Sequence, residues 1–143
     1  MYRLTAAVMV ILTGLALAAP RLKDPPKKAS PLVGQWRLVL MNGSDPGYSL
    51  ELEYLADGFA IRLKDKTHDD EYRFRYTIDS STNPAQLDYL YDEAGKPPAL
   101  CIFKVEGDTL TICYSCGKDR SRPKEFGQPS TTLQVLKRIK SKD

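Results

Sequence analysis

Apolar and polar residues alternate along most of the chain after position 32. Tyr48, Leu50, Leu52 and Tyr54 share one parity, with Ser49, Glu51 and Glu53 between them. Phe59, Ile61 and Leu63 alternate with Ala60, Arg62 and Lys64, and Tyr72, Phe74, Tyr76 and Ile78 alternate with Arg73, Arg75 and Thr77. Leu110, Ile112 and Tyr114 alternate in the same way with Thr109, Thr111 and Cys113. A period of two marks strands with one buried face. No stretch beyond position 32 sustains a stripe of roughly 3.6-residue period, so long helices are not expected.

Turn signals separate the runs: Asn42-Gly43, Asp57-Gly58, Asn83-Pro84, Gly95-Lys96-Pro97-Pro98 and Gly107-Asp108. Between them the pattern predicts eight strands, at 32–40, 48–55, 59–64, 71–79, 86–91, 100–105, 109–115 and 132–139. Short consecutive strands joined by tight turns predict an antiparallel meander. Each strand has one apolar face to cover. Closing the sheet on itself covers all eight and removes both edges. The expected fold is therefore all-β: an eight-stranded antiparallel up-and-down barrel. If the loop 55–58 closes tightly, Tyr54 opposes Phe59, Leu52 opposes Ile61, and Glu51 opposes Arg62 on the outer face.

The first residues do not fit that pattern. Arg3 precedes an uncharged apolar run from Leu4 to Ala19, and Ala16-Leu17-Ala18 supplies small residues at a cleavage site. The run of about 16 residues is shorter than the roughly 20 a membrane-spanning helix needs. Residues 1–18 are read as a cleaved export signal, leaving no stable membrane span. The chain is expected outside the cytoplasm: periplasmic, in the cell envelope or secreted. Residues 19–31, with four prolines and four basic residues, read as an extended tether. The barrel domain is then 32–140.

Composition narrows the function classes. Of 143 residues, 42% are hydrophobic and 27% charged, as in an ordinary folded domain. A net charge of +3, with basic residues spread along the chain, is no nucleic-acid footprint.

Five short segments carry a resemblance. Leu32-Val33-Gly34-Gln35-Trp36 opens the first strand with a Gly-x-Trp motif. Asn83 to Asp88, Ile102 to Leu110, Arg122 to Phe126 and the closing Leu136-Lys137-Arg138 follow in order. Together they resemble the lipocalin-like domain family seen in exported planctomycete proteins, over about three-quarters of the chain. The resemblance implies a lipocalin or calycin-like barrel in which Arg138 packs over the Trp36 ring as a structural cation–π pair. It implies no particular activity. Cys101 and Cys116 depart from the family pattern.

Candidate chemistry is sparse. Export into an oxidising compartment suggests one disulfide among Cys101, Cys113 and Cys116, with Cys113–Cys116 the favoured pair and Cys101–Cys116 the alternative. Cys113-x-x-Cys116 precedes a Gly and Pro loop rather than a helix, which argues against a redox motif. His68, the only histidine, lies in a charged loop with Asp69 and Asp70 and reads as solvated rather than metal-binding. Lys118, Arg120, Arg122 and Lys124 crowd the segment before the last strand. They offer either an anion site or, as favoured here, a segment that folds under the barrel with Phe126 as anchor. No nucleophile or acid–base constellation emerges, so no enzyme, metal or cofactor is expected.

Tyr54, Tyr72, Phe74, Tyr76 and Tyr89 fall on inward parities. Aromatic rings with hydroxyl tips suit an apolar pocket with a few polar handles, and they would line a site for a small hydrophobic ligand. An eight-stranded barrel holds side chains or one small ligand. A filled interior, with the outer face or loops docking an envelope protein, is the alternative.

Overall fold

A computed structural model describes residues 29–63 and 70–141. The expected export signal, tether residues 19–28 and the His68 loop lie outside the described residues. Eight strands follow in order: β1 (Gly34–Met41), β2 (Glu51–Tyr54), β3 (Phe59–Arg62), β4 (Tyr72–Asp79), β5 (Ala85–Leu90), β6 (Ala99–Glu106), β7 (Thr109–Ser115) and β8 (Thr131–Arg138). Each pairs antiparallel with its sequence neighbours, and β1 pairs with β8, closing the barrel. Among the described residues no helix is long and apolar enough to cross a membrane.

The alternation explains the pairing. Trp36, Leu38, Leu52, Tyr54, Phe74, Tyr76, Leu87, Cys101, Phe103, Leu110, Ile112 and Leu136 are buried members of one core cluster. Their backbones cannot leave polar groups unpaired inside, so each strand takes two neighbours. The two ends of the barrel differ. The β2–β3, β4–β5 and β6–β7 turns gather at one end with the start of β1 and the finish of β8. The longer connections 42–50, 91–98 and 116–130 gather at the other, with the end of β3 and the start of β4.

At the short-turn end, Trp36 is fully buried and its indole Nε1 donates to the Leu32 carbonyl at 2.7 Å. Arg138 is its register partner across the β1–β8 seam, and the guanidinium carbon lies 4.1 Å from the ring centroid. Arg138 Nη1 donates to the Val33 carbonyl at 2.8 Å, and Nη2 reaches the Pro31 carbonyl at 3.3 Å. A cation over a largely desolvated indole contributes about 0.5–2 kcal/mol. Here it also ties the incoming chain to the last strand.

The β2–β3 register differs from the expected one by one residue. Tyr54 opposes Ala60, Glu53 opposes Ile61, and Leu52 opposes Arg62. The cause is the turn. Leu55 N–H donates to the Phe59 carbonyl at 2.8 Å, so three residues, Ala56-Asp57-Gly58, form the loop, and Gly58 takes φ of 87°. A glycine in the left-handed region is the usual third residue of such a loop. A one-residue slip moves every side chain of β3 to the other face. Ala60 becomes the buried residue, while Phe59 packs under Arg73 at 4.0 Å. Glu51 is paired instead with Arg37, its β1 neighbour, at 2.7 Å.

The basic segment before β8 does not fold under the barrel end. It runs along the outer face of β5 to β7. Pro123 is buried, Phe126 is half-buried, and Lys104 lies over the Phe126 ring at 5.4 Å. Arg122 holds the segment by an ion pair with Asp88 at 2.6 Å and a hydrogen bond to the Cys101 carbonyl at 2.7 Å. This cover explains why Ile102 and Cys113, on the outer face, are almost fully buried.

No disulfide forms: Cys101, Cys113 and Cys116 are all free. The favoured Cys113–Cys116 pair fails on geometry. β7 is extended to Ser115, so three steps separate the residues by roughly 10 Å, beyond the ~7 Å limit for a bridge. Cys113 Sγ faces the Glu125 carbonyl at 4.0 Å, whereas Cys116 Sγ lies against Thr132 Oγ1. Cys101 Sγ, the alternative partner, turns to the Ala99 carbonyl at 3.7 Å.

Two outcomes are expected. Gly34 has φ of 125°, and a Cβ there would stand 2.7 Å from Arg138 Nη1. Gly34→Ala should therefore lower unfolding free energy by about 1–3 kcal/mol, read by urea titration. Arg122→Ala should release the outer segment. Losing a charge-assisted contact worth about 1.5–3 kcal/mol should speed native-state alkylation of Cys113 about tenfold or more, read by peptide mass spectrometry.

Candidate functional site at the long-loop end

The five aromatic residues singled out by parity come together, but they pack on one another. Tyr54 and Tyr76 meet edge to face at 5.1 Å, as do Phe74 and Tyr89 at 5.2 Å. Tyr72 stacks on Phe74 at 6.0 Å. The Tyr54 and Tyr89 hydroxyls are hydrogen-bonded to each other. Tyr76 Oη donates to the Leu55 carbonyl at 2.8 Å, toward the short-turn end. Tyr54, Phe74 and Tyr76 are buried, while Tyr72 and Tyr89 are half-buried. Paired rings, with the Tyr54, Tyr76 and Tyr89 hydroxyls hydrogen-bonded, fill the middle of the barrel.

Space remains at the long-loop rim. A cleft of about 270 Å3 opens between the β5–β6 connection and the end of β7. Tyr91 and Tyr114 supply its rings, Pro97, Pro98 and Ala99 its apolar wall, and Cys116 a thiol. Ala99 opposes Tyr89 across the β5–β6 ladder, so the small residue lies beside the aromatic cluster. Lys96 and Arg120 complete the lining. The Lys96 ammonium lies 4.2 Å from the Tyr91 ring centroid and 5.8 Å from that of Tyr72.

Arg62 also belongs to this region. The slipped register places it opposite Leu52 and Tyr72 on the interior face, with its guanidinium carbon 5.8 Å from the Tyr72 ring. The assumed two-strand register put it outside, so the alternation alone concealed it. Arg120 was visible only as one of several basic residues. Tyr91 and Tyr114 were visible as aromatics in or beside strands, without a signal that they meet at the rim.

Burial controls the titratable groups. Desolvation pushes the Tyr54 hydroxyl well above the ordinary phenol range, and the Tyr89 hydrogen bond offsets this only in part. Desolvation also raises Tyr89, helped by its neighbour Tyr54. The Cys101 thiol is pushed up to about 12, first by burial and then by the nearby Asp88 charge. All three groups are held neutral near neutral pH. Among the described residues no group of three His, Cys, Asp or Glu side chains is placed to hold a metal ion.

No protein-family model matches the chain, and no curated protein matches it significantly.

A pH response follows from the raised groups. Folded Tyr54, Tyr89 and Cys101 keep protons that the unfolded chain releases above pH 9 to 10. Their contribution to stability is thus fully present below pH 9 and is lost as pH rises through the folded values. Each group should remove about 1.4 kcal/mol per pH unit once its unfolded form ionises. Unfolding free energy should be flat from pH 7 to 9 and fall steeply above 10. In an ultraviolet titration, Tyr54 and Tyr89 should ionise only as the barrel opens.

Proposed function

We propose that this chain is an exported, lipocalin-like binding protein that holds a small molecule at the long-loop rim of its barrel without transforming it. The observation that carries the reading is the rim cleft of about 270 Å3, near the low end of small-molecule sites. It has rings, an apolar wall and a few polar groups, the composition such sites use. The filled aromatic middle supports a ligand seated at the rim rather than one swallowed into the barrel. Buried groups held in their neutral forms suit binding better than acid–base catalysis. Export and the lipocalin-like kinship rest on the leader and on the five sequence segments.

The second reading is an envelope docking module with a solid core. It draws on Leu40 and Tyr48, exposed at 39% and 41%. Two exposed apolar side chains are ordinary for a protein surface and make no large patch.

The test uses protein purified from its own cell envelope. Native mass spectrometry should find a small molecule bound at unit stoichiometry. Its removal should speed alkylation of Cys116, the exposed cysteine in the cleft, while Cys101 and Cys113 stay unmodified. A chain free of bound molecules in every preparation, with one Cys116 rate throughout, would overturn the reading.

A further inference from the structure

The rim cleft carries a charge pattern that says more about its occupant. Its two ionised side chains, Lys96 and Arg120, are both cationic, and no carboxylate stands among the described residues that line it. The carboxylate paired with Lys96 is Glu93, at 3.5 Å, with both side chains well exposed. Such a pair is weak and competes poorly with a ligand anion. Arg120 has no ion-pair partner among the described residues and shares the cleft wall with Tyr91, whose hydroxyl burial pushes above the ordinary phenol range, Arg120 offsetting this only in part. Arg62 adds a further cation beside Tyr72, the ring that Lys96 also reaches. The rings therefore sit among ammonium and guanidinium groups, and Tyr91 and Tyr114 are part of the wall.

A neutral apolar molecule would use the wall and leave the cations facing water. An inorganic anion would use the cations and leave the rings bare. A molecule with both parts satisfies every group present. The geometry points to a small organic anion as the occupant: a planar or aromatic body laid against Tyr91 and Tyr114, with its sulfonate or carboxylate held by Lys96 and Arg120. This rests on the reading of the rim as a binding site and adds the chemical class of ligand. Charge-assisted contacts to the anion would fix the orientation of the body, while ring contact supplies most of the area.

Two fluorescent probes with the same aromatic framework separate the parts. Anilinonaphthalene sulfonate carries the anion, and N-phenylnaphthylamine does not. Both are titrated into the purified full chain and into the Lys96→Gln/Arg120→Gln variant. Both positions are solvent-exposed, so folding should be retained, which circular dichroism checks. The sulfonate should bind about tenfold more tightly than the neutral amine, protect Cys116 from alkylation, and lose about tenfold in affinity in the variant. The neutral probe should change less than twofold. Added salt should weaken only the sulfonate, since its charge contacts are near the surface.

Equal affinity for the two probes, with both protecting Cys116 and the variant changing neither, would overturn the anion assignment and leave the rim site standing. Sulfonate binding that leaves Cys116 unprotected would overturn it too, by placing the probe elsewhere. Failure of both probes to bind or to protect Cys116 would remove the rim site and the assignment together.

Discussion

The structure depends on the seam where the first strand meets the last. Seven hairpins in sequence would give a curled sheet with two open edges. Pairing β1 with β8 converts that sheet into a barrel with none. The seam is irregular: its register shifts between Leu38 and Leu40, which turns Leu40 outward to 39% exposure. What fixes it at the short-turn end is Arg138. Its guanidinium covers the Trp36 ring, donates to the carbonyls of Val33 and Pro31, and lies 3.8 Å from Asp108 in the β6–β7 turn. One side chain therefore ties the entry of the chain, the first strand, the last strand and an adjacent turn. A lysine could carry the charge but not the planar fork that meets ring and carbonyls together.

With that end plugged, the aromatic residues settle from the plug upward. Tyr76 reaches the β2–β3 turn, Tyr54 and Tyr89 join hydroxyls at mid-barrel, and Phe74 packs on Tyr89 and Tyr72. Tyr54, Tyr76 and Tyr89 use their hydroxyls inside the protein, so the middle is a packed network rather than a lining. A cleft lies among the long connections, where Tyr91 and Lys96 come from one loop, Cys116 and Arg120 from another, and Tyr114 from the end of β7. The core is packed up from the short-turn end, and the rim cleft lies at the other.

Much of the fold was legible in the alternation. Eight runs gave eight strands in the expected order, because a buried face on an antiparallel strand repeats every second residue and a meander needs only short turns. Leu52, Tyr54, Phe74, Tyr76, Leu110 and Ile112 are buried on the parities that the pattern assigned. Trp36 and Arg138 meet as the family resemblance implied. Less of the site was legible. The five aromatics named from parity do gather, yet parity says only which face a ring takes and not whether space is left beside it.

What the sequence by itself determined was periodicity and strand count, since both are written in local spacing, whereas the pair that seals the barrel was implied by the family resemblance. Three things needed the tertiary structure. The β3 face turned on a loop one residue shorter than the expected 55–58, Ala56-Asp57-Gly58, a slip that composition does not announce and that brings Arg62 indoors. The cysteines stayed apart because an extended β7 carries Cys113 under the outer segment and Cys116 to the rim. The rim cleft exists because the β6–β7 pairing brings positions 91–100 beside positions 114–120. Register, distance and enclosure depend on which backbone groups pair between strands, and side-chain alternation alone does not encode that choice.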